Sequence, residues 1–197
     1  MTEKIPSDLD ADPRRKAILE AAFATFATYG FRRTSMEDIA KAANLSRPAL
    51  YLHFKNKEDI FRSLAQYYYD AAAAGMAEAL QKTGPLAQVL HGAFVARDGG
   101  IIDSVLSSPH GEELLDTKFT TSADVSKAGE ARLAGIFADW LKHAEKSGQI
   151  RLTTKPEVMA DTVMAALKGL KTPPPSLEVY RERQKTLAET LAMGMTR

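Results

Sequence analysis

Nine lysine and arginine side chains fall between Pro13 and Lys57 (Arg14, Arg15, Lys16, Arg32, Arg33, Lys41, Arg47, Lys55 and Lys57), against only Glu20, Glu37 and Asp38. The remainder of the chain is neutral to acidic, and the net charge of the whole is only +1. A basic face on a near-neutral chain is the asymmetry expected where one end meets phosphate. Other chemistries have little to work with. There is no cysteine, which excludes disulfides, thiolate metal sites and cysteine nucleophiles and fits a reducing, cytoplasmic setting. The histidines at 53, 91, 110 and 143 are scattered and form no HExxH spacing. The run His110-Gly111-Glu112-Glu113 is read as a helix start with acidic residues in its first turn, which suits the helix dipole. No G-x-S-x-G, P-loop or dinucleotide fingerprint occurs, so neither an enzyme, a cofactor nor a metal is expected.

The elements that must position this basic face are helices. The stretch from Arg14 to Tyr29 carries Ile18, Ala22, Phe23 and Phe26 on one stripe, with Gly30 at its left-handed end. Ser35 caps a second helix, with Asp38 three residues on forming a near capping box, and Asn44 ends it. Ser46 caps a short third helix with Pro48 in its first turn, where a missing N–H costs nothing. Asn56 caps a fourth, which runs to about Leu80 before Gly84-Pro85 breaks it. Further helices are expected near 86–97, 101–107, 111–118, 122–147, 156–170 and 176–194, separated by glycine and proline breaks. No apolar run approaches the roughly 18 residues of a membrane helix. Residues 1–12, polar and acidic, read as a disordered lead-in and not as a secretory signal.

The fold class is therefore all-α. An N-terminal three-helix, helix-turn-helix DNA-binding domain spans 13–57, and a larger C-terminal helical domain spans 58–197. Two short helices joined by Ala43-Asn44-Leu45-Ser46 have the dimensions of a helix-turn-helix. With Leu50 and Phe54 turned inward, Pro48, Ala49, Tyr51 and Leu52 project outward and Arg47 reaches round from the first turn. Tyr51 has packing as its alternative role. Arg14 to Lys16 read equally as a solvated face or as a clamp on a phosphate backbone.

The stretch TSMEDIAKAANLSRPALYLHFKNKEDIF resembles the TetR family of bacterial regulators, over about Ala17 to Phe61. Gly30, Thr34, Ser35, Ile39, Ala40, Leu50, Tyr51, His53, Phe54, Lys57 and Ile60 fall in register. The resemblance implies that Arg47 reads bases, a role suited to bidentate contact with guanine O6 and N7, and that Pro48 and Ala49 touch base edges or thymine methyls. It implies phosphate contacts for Thr34, Ser35, Tyr51, His53 and Lys57, with Lys55 and the Ser46 cap beside them. Leu52 departs from the more common aromatic or polar residue, and Glu37 would repel a close phosphate. Specificity is then expected to lean on Arg47, methyl contacts and DNA shape.

For the remainder of the chain the resemblance extends only to layout. It implies a ligand pocket lined by Tyr67, Tyr68, Phe94, Ile102, Phe119, Phe137 and Trp140, each of which has ordinary core packing as its alternative. No buried charge stands out there, so an apolar or aromatic effector is expected. In the last two helices Val158, Met159, Val163, Leu167, Leu177, Tyr180, Leu187 and Leu191 recur at helical steps. They read as a dimer interface, or else as an internal packing face. The function expected is a sequence-specific, dimeric repressor on an inverted-repeat operator in double-stranded DNA, released by a small molecule. The competing readings are a helical carrier or enzyme with an idle head, and an architectural DNA binder. The near-neutral charge speaks against the last.

Overall fold

The computed structural model describes residues 12–196, and for 117–119 the backbone alone. Phe119 thus has its side chain outside the described residues, as does all of the expected lead-in except Asp12. The helices are α1 (Pro13–Tyr29), α2 (Met36–Ala42), α3 (Arg47–Tyr51), α4 (Lys57–Leu80), α5 (Leu86–Ala96), α6 (Ile102–Leu106), α7 (Gly111–Thr121), α8 (Ala123–Lys146), α9 (Pro156–Gly169) and α10 (Leu177–Met195). No strand occurs among the described residues, and none of their helices is long and apolar enough to cross a membrane.

The chain forms two compact units. The first, the head, holds the residues up to Tyr67 together with Ser107–Ser126; the second, the body, holds Tyr68–Leu106 and Lys127–Arg197. The sequence places the boundary at 57/58, whereas the compact head takes in the first turns of α4 and all of α7. The physical reason is that Leu114 of α7 is buried in the head core with Ile18, Phe26, Ile39, Leu50, Phe54 and Ile60. Around it Phe26, Phe31 and Phe61 form a triangle of tilted and edge-on rings, with centres 5.2–5.9 Å apart.

Short-range chemistry sets the ends of the head helices. The Asp12 carboxylate accepts from the N–H groups of Arg14 and Arg15. Ser35 and Asp38 complete a reciprocal capping box: Ser35 Oγ accepts from Asp38 N–H at 3.2 Å and Asp38 Oδ2 accepts from Ser35 N–H at 2.9 Å. The Ser35 hydroxyl, donating to the same oxygen at 2.6 Å, and then the Ser35 N–H hold the Asp38 carboxyl below the usual carboxylate range. At the far end of α2, Asn44 takes a left-handed φ of 54°. Leu45 N–H returns to Ala40 O and Asn44 N–H to Lys41 O, the double closure that ends a helix sharply. This places α3 at once against α2.

The body has a different interior. Val89, Leu90, Ala93 and Phe94 of α5 are buried, as are Tyr180, Gln184, Ala188 and Ala192 of α10, the helix α5 packs on. One turn beyond Ala93 and Phe94, just past the end of α5, lie Arg97 and Asp98, 2% and 1% exposed. The expectation of a body without buried charge is thereby corrected. Asp98 receives Lys171 Nζ at 2.8 Å, the Tyr180 hydroxyl at 2.9 Å and Gln184 Nε2 at 3.0 Å. Arg97 pairs with Glu130 of α8 at 2.7 Å, while its Nε, also buried, has no partner. Burial, opposed by Asp98, lowers the pKa of Lys171, and burial followed by the Asp98 charge raises that of Tyr180.

Candidate nucleic-acid interface

Helix α3 is short, and its single turn and a half divides sharply. Leu50 is fully buried and Phe54, just beyond, nearly so, which fixes the inner face. Arg47 and Pro48 are exposed, Ala49 is half-buried, and Tyr51 and Leu52 are 44% and 86% exposed. Leu52 thereby leaves an open apolar surface at the end of α3. Ser46 caps α3 by accepting from Ala49 N–H at 3.3 Å, and Pro48 lies at the start, where no N–H is missed. The Arg47 guanidinium lies 5.7 Å from the centre of the Tyr51 ring, one turn along, an i,i+4 pair that limits where the guanidinium can go. Hydrogen bonding to Tyr51, and behind it the charge of Glu37, favours the protonated form further.

Not every residue implied as a phosphate ligand faces outward. Thr34 is 2% exposed, and its hydroxyl donates to Gly30 O at 2.7 Å. Ser35 is exposed but serves α2 as its cap. His53 is half-buried, with Nδ1 3.9 Å from Asp12 and its carbonyl accepting from Arg15 at 3.2 Å. Lys55 is exposed. Lys57 is half-buried, and its ammonium donates to the carbonyls of Phe31, Arg32 and Thr34. The polar groups of Thr34 and Lys57 thus serve the fold in this structure, an intramolecular acceptor holding each donor. Arg15, left open between a solvated and a clamping role, does a third thing. It braces the head, donating to His53 O and Ser63 Oγ and lying 4.3 Å over the Phe54 ring.

A cleft of about 610 Å³ also opens in the head, beside Thr25, Thr28, Tyr29, Arg33, Lys41 and His110. The Thr25 and Thr28 hydroxyls are already spent on the carbonyls of Ala21 and Ala24. Of the residues implied for a ligand pocket, Tyr67 is packed on the head core. Tyr68, Phe94, Ile102 and Phe137 are buried in the body, and Trp140 is half-buried, stacked on Phe137 at 5.7 Å. Of the implied dimer residues, Val163, Leu167 and Tyr180 are buried within one protomer, and Tyr180 is spent on Asp98. All three pack internally within the protomer. Val158 is 51% exposed and Met159, Leu177, Leu187 and Leu191 are half-buried; Val179 and Met193, which the sequence reading passed over, are exposed. No cluster of three or more metal-binding side chains occurs among the described residues.

An all-helical chain with a capped, tightly turned helix pair presenting arginine, proline and apolar side chains belongs to the helix-turn-helix class. Residues 18–64 match the family described as bacterial regulatory proteins, tetR family. Its relatives include the HTH-type transcriptional regulator YhgD of Bacillus subtilis, 34% identical over 83 residues, which are 42% of this chain and 44% of the relative. They also include the HTH-type transcriptional activator FasR of Mycolicibacterium smegmatis, 34% identical over 88 residues, 45% of this chain and 40% of the relative. The chain thus spans less than half the length of these relatives in the matched region. The fold extends much further. The structure of SmeT in complex with triclosan covers 94% of this chain and 93% of its own, at a TM-score of 0.70 and 18% identity. A second structure describes SmeT as the repressor of the Stenotrophomonas maltophilia multidrug efflux pump SmeDEF, with a TM-score of 0.67 and 21% identity over 93% of this chain and 90% of its own.

Proposed function

We propose that the protein is a sequence-specific DNA-binding transcriptional regulator, a cytoplasmic homodimer that represses from an inverted-repeat operator and is released by a small molecule held in the body. The observation that carries the reading is α3 itself, whose inner face is locked by Leu50 and Phe54 while Arg47, Pro48, Ala49, Tyr51 and Leu52 stand outward. In this reading Arg47 contacts guanine, Pro48, Ala49 and Leu52 meet methyl groups and base edges, and Ser35, Ser46, Tyr51, His53 and Lys55 line the phosphates. Repression and an apolar or aromatic effector are supported by the likeness of fold to SmeT, a repressor whose structure holds triclosan. Trp140, half-buried against Phe137, is the accessible aromatic of the body. Val158, Met159, Val179, Leu187, Leu191 and Met193 supply the apolar surface a second copy would cover.

Selection of bound duplexes from a random library at physiological salt tests the proposal. An inverted repeat is expected, since two symmetry-related α3 helices read two half-sites. Arg47→Ala is expected to lose discrimination at the position it reads, by about 1–3 kcal/mol. An unchanged preference in that variant assigns the reading elsewhere. A flat selection, with binding that vanishes as salt rises, overturns sequence-specific regulation in favour of a non-specific DNA binder.

A further inference from the structure

Lys57 opens α4, a place where the positive end of the helix dipole disfavours a cation. Something must compensate, and the α1–α2 turn does. An ammonium has three N–H donors, and here all three are taken, by Phe31 O at 2.9 Å and by Arg32 O and Thr34 O at 3.1 Å. The same nitrogen lies 4.7 Å from the centre of the Phe31 ring. A phosphate could take a donor only by breaking one of these bonds.

The turn is held from its other side as well. Glu113 of α7 accepts from Arg32 N–H at 2.8 Å. Its carboxylate fills the space beside Gly30, where any Cβ would collide with it. Between the two grips the Thr34 hydroxyl closes on Gly30 O. The very next residue, Ser35, starts the capping box of α2, and α2 packs directly on α3.

We propose that Lys57 and Glu113 are positioning residues for DNA reading: gripping the turn at 30–34 from α4 and α7, they set where Ser35, α2 and the reading helix stand. This rests on the DNA-binding role proposed above. It also gives the two residues a signature that simple electrostatics cannot produce. Removing an acidic side chain should strengthen binding to a polyanion, whereas removing one jaw of a clasp should weaken it.

The experiment measures binding of the full-length protein to the selected duplex and to a random one, at several salt concentrations. Folding of each variant is checked by circular dichroism. Glu113→Ala is expected to bind the selected site roughly five- to tenfold more weakly, and Glu113→Gln, whose amide oxygen still accepts, to stay within about twofold of wild type. Lys57→Met is expected to lose about tenfold in preference for the selected site, with the slope of log affinity against log salt unchanged. A direct phosphate contact would instead reduce that slope by about 0.9 and weaken both duplexes alike. That outcome for Lys57→Met, or undiminished binding by Glu113→Ala, overturns the proposal. If Lys57→Met does not fold, the Glu113 pair decides alone. A wild-type protein that enriches no duplex at all defeats the DNA-binding role itself, a result separate from either variant outcome.

Discussion

Head and body both draw cations at least partly out of solvent, and they satisfy them by opposite means. In the head, Lys57 and Arg15 donate chiefly to backbone carbonyls, those of Phe31, Arg32, Thr34 and His53. In the body, Lys171 and Arg97 are matched by the carboxylates of Asp98 and Glu130. A carbonyl is a dipole that water or a neighbour can still serve when the cation leaves, and in the head the chain lies close to solvent. A carboxylate 1% exposed has no such recourse, and losing one partner strands the other charge away from water. The body's network is therefore a matter of all-or-none stability. The head's network is a matter of placement, which suits a surface that must present α3 at a fixed angle.

The largest effect expected from this contrast falls on Asp98→Ala. It removes the shared acceptor of Lys171, Tyr180 and Gln184 and is expected to cost about 3–5 kcal/mol in urea unfolding. A cost near that of an exposed ion pair would erase the distinction between the two units. A smaller effect is expected in the head from Ser35→Ala, which deletes the α2 cap at a cost of about 1 kcal/mol. Calorimetry should show the loss, and binding to the selected duplex should weaken along with it if cap and phosphate contact share that hydroxyl. An intact melting temperature would mean that water replaces the hydroxyl in full.

The smallest effect concerns the exposed latch of Arg62 on Asp124, two bonds of 2.6 Å at the start of α8. The guanidinium holds the Asp124 carboxyl down to about 2. A carboxyl depressed in the folded state stabilises it above the unfolded carboxyl pKa, near 3.9, and loses that contribution as pH falls towards 2. Acid unfolding of Arg62→Ala should therefore show a shallower fall in stability between about pH 4 and pH 2 than wild type. Because the pair is open to solvent, the difference should shrink further in high salt. A slope identical to wild type would assign the acid sensitivity to other carboxylates.

What was legible in the sequence was local. Gly30, the Ser35–Asp38 box, Asn44 and the Ser46 cap each act on atoms within a few residues, so their neighbours in the chain suffice to predict them. The helical order could be read from periodicity and breakers, and the outward set on α3 from two inward anchors. Lys57 escaped, although a lysine at a helix start is itself a signal that some other acceptor lies near. Arg97 escaped too, although it continues the buried stripe of α5 one turn beyond Ala93 and Phe94. In the final helix, leucines at helical steps suggested the seam, yet Tyr180, Gln184, Ala188 and Ala192 form the inward face, because Asp98 offers Tyr180 and Gln184 polar partners that periodicity does not reveal.

By itself the sequence determined an all-helical chain, the positions of its turns and α3 with its exposed side chains, because capping, glycine conformation and amphipathic spacing operate within a turn or two. Only the tertiary structure decided which cations face outward. Arg15 meets Ser63 across 48 residues and Lys57 meets the Phe31 carbonyl across 26, and Asp98 collects partners from 73 to 86 residues away. A charged side chain is soluble, paired or clasped according to what distant backbone and carboxylate oxygens reach it. Burial and hydrogen bonding fix that outcome, and neither follows from residue type and spacing alone.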